Sequence, residues 1–239
     1  MNLFTFLCYS TELKNDIVEK ILLNRKCDII QVLYSIFNRE FTNKEWKNIF
    51  DYLPELVKKK IMCLHKWQDR QSKVLGYLLM CKGLMERGYD LESDYLRDHL
   101  GRPFVNPYVD FNISHTDGCV VCALTSKGRL GIDIEKIKRI DLEDFRKSMR
   151  FEQWKQIDES KNKYKIFYDI WTKKESTLKA DGRGLSFPLD KVEIQRNKAI
   201  LEGKSWFLTK LDISQNYSCH LACDVKDKQI EIKEIFLMK

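Results

Sequence analysis

The stretch that decides the fold is GIDIE at residues 131–135. Apolar and acidic residues alternate along it, which is typical of a β-strand whose successive side chains point to opposite faces. We therefore predict that Ile132 and Ile134 enter the core. Asp133 and Glu135 then lie side by side on the other face, so that one strand presents two neighbouring carboxylates.

A second stretch, WTKKESTLK at residues 171–179, has helical character. Glu175 and Lys179 are four residues apart, so they project from one helix face about one turn apart. If this helix packs against the acidic strand, three carboxylates and an ammonium converge. Clusters of oxygen ligands suit Mg²⁺, which commonly completes its shell with phosphate oxygens of a substrate. The pair of stretches therefore indicates phosphate chemistry, although either one alone is more often a solvated strand face or a surface salt-bridge ladder.

Composition describes a folded globular chain of 239 residues with 44% hydrophobic residues and a net charge of +7. The positive charge favours an acidic partner. We expect no nucleic-acid partner, because zinc-finger spacing, RNP-like sequence and an Arg-rich arm are missing. We expect no membrane partner and a cytoplasmic location, because apolar runs stay below the ~18–20 residues that cross a bilayer and the N-terminal sequence lacks a basic leader. We also expect a monomer. The eight cysteines are scattered through apolar segments, which indicates reduced core residues.

The order of predicted elements indicates an α+β fold with two related parts, residues 1–127 and 128–239. A weak internal repeat supports this division, since residues 66–72 resemble 170–176 and residues 119–123 resemble 219–223 at nearly equal spacing. The ligand site is expected in the cleft between the parts. The hydrophobic pattern predicts strands at Leu3–Tyr9, Phe111–Ser114, Gly118–Thr125, Leu130–Glu135, Val192–Gln195, Trp206–Leu211, Tyr217–Val225 and Ile230–Phe236. It predicts helices at Asp16–Leu33, Lys44–Leu53, Glu55–Glu86, Leu142–Ile157 and Tyr164–Ala180.

Four motifs in one order resemble the Sfp-type 4′-phosphopantetheinyl transferases. They are GRPF at 101–104, FNISH at 111–115, GIDIE at 131–135 and WTKKESTLKADGRGLSFPL at 171–189. The similarity runs from about Lys60 to Pro188. It implies two similar α+β halves related by a pseudo-twofold axis, with the cofactor site in the cleft between them. It also implies transfer of the phosphopantetheine arm of coenzyme A to a serine of an apo acyl or peptidyl carrier protein, with release of 3′,5′-ADP.

The resemblance also implies a metal site and a catalytic pair. Asp133, Glu135 and Glu175 would hold Mg²⁺, for which Mn²⁺ can substitute, at the coenzyme A pyrophosphate. Glu175 would take the proton of the carrier serine, either directly or through a water bound to the metal. Lys179 would hold a pyrophosphate oxygen, and Asp133 would lie beside the same group.

Further cofactor contacts follow from the resemblance at four positions. Lys60 would lie near the 3′-phosphate, with Lys58 or Lys59 in its place if the register shifts. Arg102 stands where relatives have a lysine, and keeps the positive charge. Ser114 and His115 would contact coenzyme A phosphates at the end of their strand.

One departure from the family pattern and two rival functions stay open. Many relatives have a glutamate before the aromatic residue of the helix after GIDIE, whereas this chain has Gln153 before Trp154 and a glutamate one position earlier, at Glu152. A metal-dependent phosphoester hydrolase acting on nucleotides could use the same carboxylates, and a basic binding module would need none of them. The carrier also stays open, since fatty-acid, polyketide and nonribosomal-peptide carriers all present a serine on an acidic surface.

Overall fold

The computed structural model describes residues 29–89, 95–97, 103–105, 109–184 and 187–236, and these form an α+β fold. Its α-helices are α1 Asn43–Phe50, α2 Glu55–Met62, α3 Trp67–Met85, α4 Phe151–Glu159 and α5 Lys163–Asp181. Its strands are β1 Ile29–Ile36, β2 Tyr95–Arg97, β3 Pro103–Val105, β4 Asp110–Thr116, β5 Cys119–Thr125, β6 Leu130–Lys136, β7 Glu193–Gln195, β8 Lys198–Leu201, β9 Lys204–Lys210, β10 Tyr217–Cys223 and β11 Gln229–Glu234. Within the described ranges no helix is both long enough and apolar enough to cross a bilayer.

Two larger sheets have three strands each in a similar order, β1-β5-β4 in one and β6-β10-β9 in the other. The first has the strand order β11-β1-β5-β4 and the second β6-β10-β9-β8-β7, while β2 and β3 form a small separate pair. In the first sheet, α3 lies along the chain between β1 and the β4–β5 hairpin; in the second, α5 lies between β6 and the antiparallel pair β9–β10. β11 crosses back and pairs in parallel with β1. The predicted division of the chain at residue 127 stays a prediction, and β11 ties the end of the second part to the sheet of the first.

The core lies in layers, because alternate residues of each central strand face opposite sides. On β5, Val121 and Ala123 pack between the two sheets against Ile132 and Ile134 of β6. On the other face of β5, Cys122 and its neighbours pack against α3. The prediction that Ile132 and Ile134 enter the core is thus confirmed.

The cysteines of the described ranges are free thiols. Cys119 and Cys122 belong to different layers of the core, so this CxxC sequence does not form a metal or redox pair. Burial raises the pKa of both thiols, to about 12 for Cys119 and well above its ordinary value for Cys122, and keeps them in the unreactive neutral form.

The two sheets are joined at β4 and β6 by a ladder of side chains. β6 is an edge strand of its sheet, so the N–H groups of alternate residues point away from β10 and need other partners. There are four such N–H groups on β6, and each donates to a side chain of β4, at every second residue of that strand. The pairs are Leu130 N to Asp110 Oδ2 at 2.8 Å, Ile132 N to Asn112 Oδ1 at 2.9 Å, Ile134 N to Ser114 Oγ at 3.4 Å and Lys136 N to Thr116 Oγ1 at 3.1 Å.

Several element predictions are wrong in the first half of the chain. Residues 29–33, predicted as the end of a helix, lie in β1, where they pair with β5 and β11. This mostly apolar run, whose polar residue is Gln31, shows no period-two alternation to identify it as a strand. The predicted strand Leu3–Tyr9 and the rest of that helix fall outside the described residues. The predicted helix Glu55–Glu86 is two helices, α2 and α3, since both pack apolar residues into one cluster that a single straight helix could not reach.

The second half needs smaller corrections. The predicted helix Leu142–Ile157 is a 3₁₀ segment, Glu143–Ser148, followed by α4. β8 was missed, because it is short and is bounded by turns in which Arg196 and Glu202 adopt positive φ, of 55° and 48°. The proposed repeat of residues 66–72 at 170–176 is not structural, since Trp67 begins α3 whereas Trp171 lies in the middle of α5.

Candidate active site

The candidate site forms where α5 crosses β6. A glycine makes the close crossing possible: a Cβ at Gly131 would lie 2.1 Å from Ser176 O and 2.3 Å from Ala180 N. The helix begins after Asn162, whose side chain accepts the Lys165 N–H, and ends at Gly182 in the left-handed conformation, with φ of 100°. The crossing confirms that the helix carrying Glu175 and Lys179 packs on the strand carrying the acidic pair.

Lys179 and Asp133 form the centre of the site. Lys179 Nζ lies 2.6 Å from Asp133 Oδ1 and donates to Ser114 Oγ at 2.8 Å. Ser114 Oγ in turn donates to the same Asp133 oxygen at 2.9 Å. The ammonium and one predicted metal ligand are therefore in direct contact, and Ser114 bridges them.

Burial shifts the pKa of the other two carboxyl groups. The pKa of Glu135 and that of Glu175 are each raised to about 7, first by desolvation and then by the charge of Asp133. Lys179 acts in the opposite direction on both. The three acidic side chains thus lie within electrostatic range of one another, and their ionised forms repel one another.

The donor set fits a hard cation. Asp133 Oδ2 and Glu175 Oε1 are buried, and neither has a hydrogen-bond partner among the described residues. Buried carboxylate oxygens without partners are costly unless a cation or a proton satisfies them. The described ranges contain no group of three His, Cys, Asp or Glu side chains already arranged to coordinate a metal, so the metal site stays a prediction that rests on these two oxygens and on the oxygen chemistry of the set.

His115 follows Ser114 on β4, and its side chain is exposed on the opposite face of the strand. Even so, its pKa is lowered, chiefly by the partial desolvation of the ring and then by Lys179, with Lys73 acting in the same direction. Asp69 and Asp133 oppose this shift. The imidazole is therefore within electrostatic range of Lys179 and Asp133 from the other face of β4, and its contact with a coenzyme A phosphate stays a prediction.

The other predicted phosphate contacts are further from this centre or outside the described residues. Lys60 is exposed in the last turn of α2, and Lys59 beside it is exposed as well. Lys58 forms an ion pair with Glu55 at 2.9 Å. Arg102 falls outside the described residues, so its role and that of Lys60 stay predictions.

The sequence interpretation missed Thr116, whose hydroxyl donates to Glu135 Oε2 at 3.1 Å. Its position two residues after Ser114, on the same face of β4, was the available signal. Also missed was the function of Gln153, which is buried and whose Oε1 accepts the Arg150 N–H at the start of α4. Glu152 beside it is exposed.

Buried polar side chains hold α5 in place behind the site. Thr172 Oγ1 lies 2.7 Å from His220 Nδ1 and 3.1 Å from Ser218 Oγ, and Ser218 donates to Asp169 at 2.7 Å. On the other side of the helix, the fully buried Lys174 donates to the carbonyl oxygens of residues 148 and 189 at 2.9 and 3.0 Å. Glu175 therefore projects from a helix that is anchored on two sides.

Carboxylates on β6, hydroxyls on β4 and the Glu175 and Lys179 side chains of α5 thus form a site that could hold a cation and bind phosphate oxygens. The family model described as the 4′-phosphopantetheinyl transferase superfamily matches residues 129–232. The chain is 32% identical over 160 residues to the 4′-phosphopantetheinyl transferase gsp of Aneurinibacillus migulanus, covering 64% of this chain and 67% of that protein. It is 29% identical over 171 residues to the 4′-phosphopantetheinyl transferase Sfp of Bacillus subtilis, covering 68% and 75%.

These matches assign the chain: it belongs to the 4′-phosphopantetheinyl transferase superfamily. It is an enzyme that transfers 4′-phosphopantetheine to carrier proteins. The identification made from the four motifs is confirmed. The solved holo-[acyl-carrier-protein] synthase of Thermotoga maritima aligns with a TM-score of 0.32 and 16% identity, over 40% of this chain and 61% of that one, a likeness too slight to add weight.

Proposed function

We propose that Asp133, Glu135, Glu175 and Lys179 form the centre at which coenzyme A donates its 4′-phosphopantetheine arm to a serine of an apo acyl or peptidyl carrier protein. The serine oxygen forms a bond to the phosphorus that carries the arm, the bond from that phosphorus to the bridging oxygen breaks, and 3′,5′-ADP leaves with the electron pair. The observation that carries the proposal is the pair of buried, unpartnered oxygens on Asp133 and Glu175 beside the Lys179 ammonium.

Asp133, Glu135 and Glu175 would hold Mg²⁺, with Mn²⁺ as a substitute. When bound, the cation would neutralise charge that develops on the leaving pyrophosphate oxygen. The two unpartnered oxygens support this assignment, because oxygen ligands without hydrogen bonds are what a hard cation requires.

Lys179 would bind and orient the coenzyme A pyrophosphate. Its ammonium is 2.6 Å from Asp133 Oδ1, and its side chain is about one quarter exposed. An ammonium that is already held by Asp133 and Ser114 loses little freedom when it meets a phosphate oxygen. We therefore propose that Lys179 acts on the oxygen that gains charge in the transition state.

Glu175 would accept the proton of the carrier serine. It lies on α5 one turn before Lys179, in the same site as the acidic pair, and a carboxylate can take a hydroxyl proton directly or through a water. Without a cation, burial and Asp133 raise its pKa to about 7. The anchoring of α5 by Thr172 and Lys174 keeps this carboxylate at a constant position relative to β6. His115, exposed on the other face of β4 within electrostatic range of Lys179, would bind a phosphate present in both ground and transition states.

We further propose that the two larger sheets with their helices are halves related by a pseudo-twofold axis, with coenzyme A bound between them. The order β1-β5-β4 with α3 corresponds to β6-β10-β9 with α5, which supports the proposal. The candidate residues also come from both sheets, since Ser114 and His115 lie on β4 and the acidic pair lies on β6.

The test is incubation with coenzyme A, Mg²⁺ and a panel of apo carriers, followed by the intact mass of each carrier. We expect at least one carrier to gain one phosphopantetheine, and 3′,5′-ADP to appear only when that carrier is present. Release of 3′,5′-ADP from coenzyme A with water alone would instead identify a hydrolase. Removal of divalent cations with EDTA should stop the transfer, and added Mg²⁺ or Mn²⁺ should restore it; undiminished turnover in EDTA would contradict the metal assignment.

A matched pair of variants separates the site from general charge effects. Glu175→Gln should abolish most transfer, whereas Glu152→Gln, the same change at an exposed residue of α4, should leave it close to the wild-type rate. Equal activity in the two variants would show that Glu175 has no part in the reaction.

A further inference from the structure

Two hydroxyl side chains on β4 match the two acidic side chains on β6. Ser114 donates to Asp133 Oδ1 at 2.9 Å, and Thr116 donates to Glu135 Oε2 at 3.1 Å. The members of each pair are two residues apart along their own strand, so both contacts lie on one face and repeat with the strand period.

Each hydroxyl also accepts a backbone N–H from the residue that follows its carboxylate partner. Ser114 Oγ accepts from Ile134 N and Thr116 Oγ1 from Lys136 N. Because a hydroxyl has a single hydrogen to donate, an acceptor role toward the backbone leaves that hydrogen to the carboxylate. The backbone N–H groups at the edge of β6 therefore determine the direction in which both hydroxyl hydrogens point.

We propose that Ser114 and Thr116 are positioning residues that hold the Asp133 and Glu135 carboxylates in the orientation needed to bind the divalent cation. The inference rests on the metal site of the proposed function. It changes the interpretation of Ser114, which the family resemblance places at a coenzyme A phosphate. Ser114 Oγ already accepts from Ile134 N and from Lys179 Nζ and donates to Asp133, which uses its one donor and both acceptor positions.

Orientation matters because a hydroxyl that engages one oxygen of a carboxylate turns the other oxygen toward a different direction, in which a cation can bind it. On Asp133, the engaged oxygen is Oδ1 and the unpartnered one is Oδ2. Partners of this kind around metal ligands typically contribute a factor of about 10–100 in metal affinity. We expect that factor when either hydroxyl is removed.

The ladder supplies a matched control in Asn112. Its Oδ1 accepts the Ile132 N–H at 2.9 Å, so it provides the same kind of rung between β4 and β6 as the two hydroxyls do. The Asn112 side chain therefore bonds to the backbone of the residue before Asp133 rather than to a carboxylate. Asn112→Ala therefore removes a rung with no direct effect on Asp133 or Glu135.

The experiment measures Mn²⁺ binding to the metal-free enzyme by electron paramagnetic resonance, with thermal unfolding alongside. Ser114→Ala and Thr116→Val should raise the Mn²⁺ Kd about 10–100-fold. Thr116→Ser, which keeps the hydroxyl, and Asn112→Ala should stay within about twofold of the wild-type Kd. Asn112→Ala should nevertheless lower the unfolding temperature as the hydroxyl variants do. Thr116→Ala replaces Thr116→Val if the latter does not fold.

Two results would overturn the inference without touching the proposed metal site. One is an unchanged Mn²⁺ Kd in Ser114→Ala and Thr116→Val, and the other is an equal loss of Mn²⁺ affinity in Asn112→Ala, which would mean that the ladder acts only through the fold. Calorimetry of coenzyme A in EDTA gives a separate readout, since Ser114→Ala should leave that Kd unchanged unless Ser114 binds a phosphate. Asp133→Asn tests the metal site itself: wild-type Mn²⁺ affinity in that variant would refute the proposed metal site and this inference together.

Discussion

Gly131 is the point at which the strand and the helix of the active site come closest, and Gly131→Ala tests whether their spacing controls activity. The new Cβ would lie 2.1 Å from Ser176 O and 2.9 Å from Lys179 C, whereas ordinary contact begins at 3.4 Å. The obstructing atoms belong to the helix backbone, which cannot rotate away as a side chain can. α5 must therefore retreat from β6 by about 1 Å.

That retreat has a calculable consequence at Lys179. Its Nζ is 2.6 Å from Asp133 Oδ1, so a displacement of about 1 Å stretches the contact beyond a good hydrogen bond. Misplacement of catalytic groups by about 1 Å typically costs about 10²-fold in rate. Overpacking of a core contact costs about 1–3 kcal/mol of stability. We expect a fall of about 100-fold in kcat for carrier modification and a fall of about 3–10 °C in Tm.

The assay is the steady-state rate of phosphopantetheine transfer to an apo carrier, with thermal unfolding measured on the same samples. Gly76→Ala is the matched control. That glycine lies in α3, and its Cβ would meet the Ile113 Cγ2 and Val120 Cγ1 side-chain atoms at 3.0 and 3.5 Å rather than a backbone. Removing a glycine from a helix offsets a small packing cost by up to about 1 kcal/mol, so activity should stay within about twofold of wild type. A Gly131→Ala enzyme with wild-type kcat and Tm would refute the reasoning.

Three further predictions concern stability. Burial and Asp133 raise the pKa of Glu175 from its ordinary value of 4.5 to about 7, so its ionised form destabilises the metal-free fold as pH rises through this range. Glu175→Gln should therefore increase the free energy of unfolding in EDTA at pH 8 by on the order of 2 kcal/mol, but not at pH 4. An equal effect at both pH values would contradict this. The pKa of His220 is lowered to about 3, chiefly by burial and then by Lys173, from an ordinary value of 6.5. The free energy of unfolding of the wild type, measured with urea, should therefore fall by up to about 1.4 kcal/mol per pH unit below about pH 6.5. His220→Asn should show a shallower dependence of this free energy on pH, and the same dependence in both proteins would refute the assignment. Thr42→Ala removes the hydroxyl that accepts the Glu45 N–H at 3.3 Å at the start of α1, so it should cost about 1 kcal/mol in thermal unfolding and leave transfer unchanged; wild-type stability would show that this cap contributes nothing.

The local sequence determined the faces of the two elements that form the site. Alternation in GIDIE placed Ile132 and Ile134 in the core and the acidic pair on the other side, because strand geometry repeats every two residues whatever surrounds it. The four-residue spacing of Glu175 and Lys179 worked in the same way on α5. The order of the motifs was enough to identify the family, since each motif is contiguous in the chain.

Tertiary structure decided what local periodicity does not encode. Residues 29–33 form a strand because β5 and β11, distant in sequence, pair with them on both sides. The contact of Thr116 with Glu135 exists because the edge N–H groups of β6 needed acceptors and β4 lay alongside. The pKa of Glu175 likewise depends on its burial where α5 packs on β6, a close approach that Gly131 permits. Hydrogen bonds and desolvation between distant segments depend on three-dimensional distance, so these features became visible only in the folded chain.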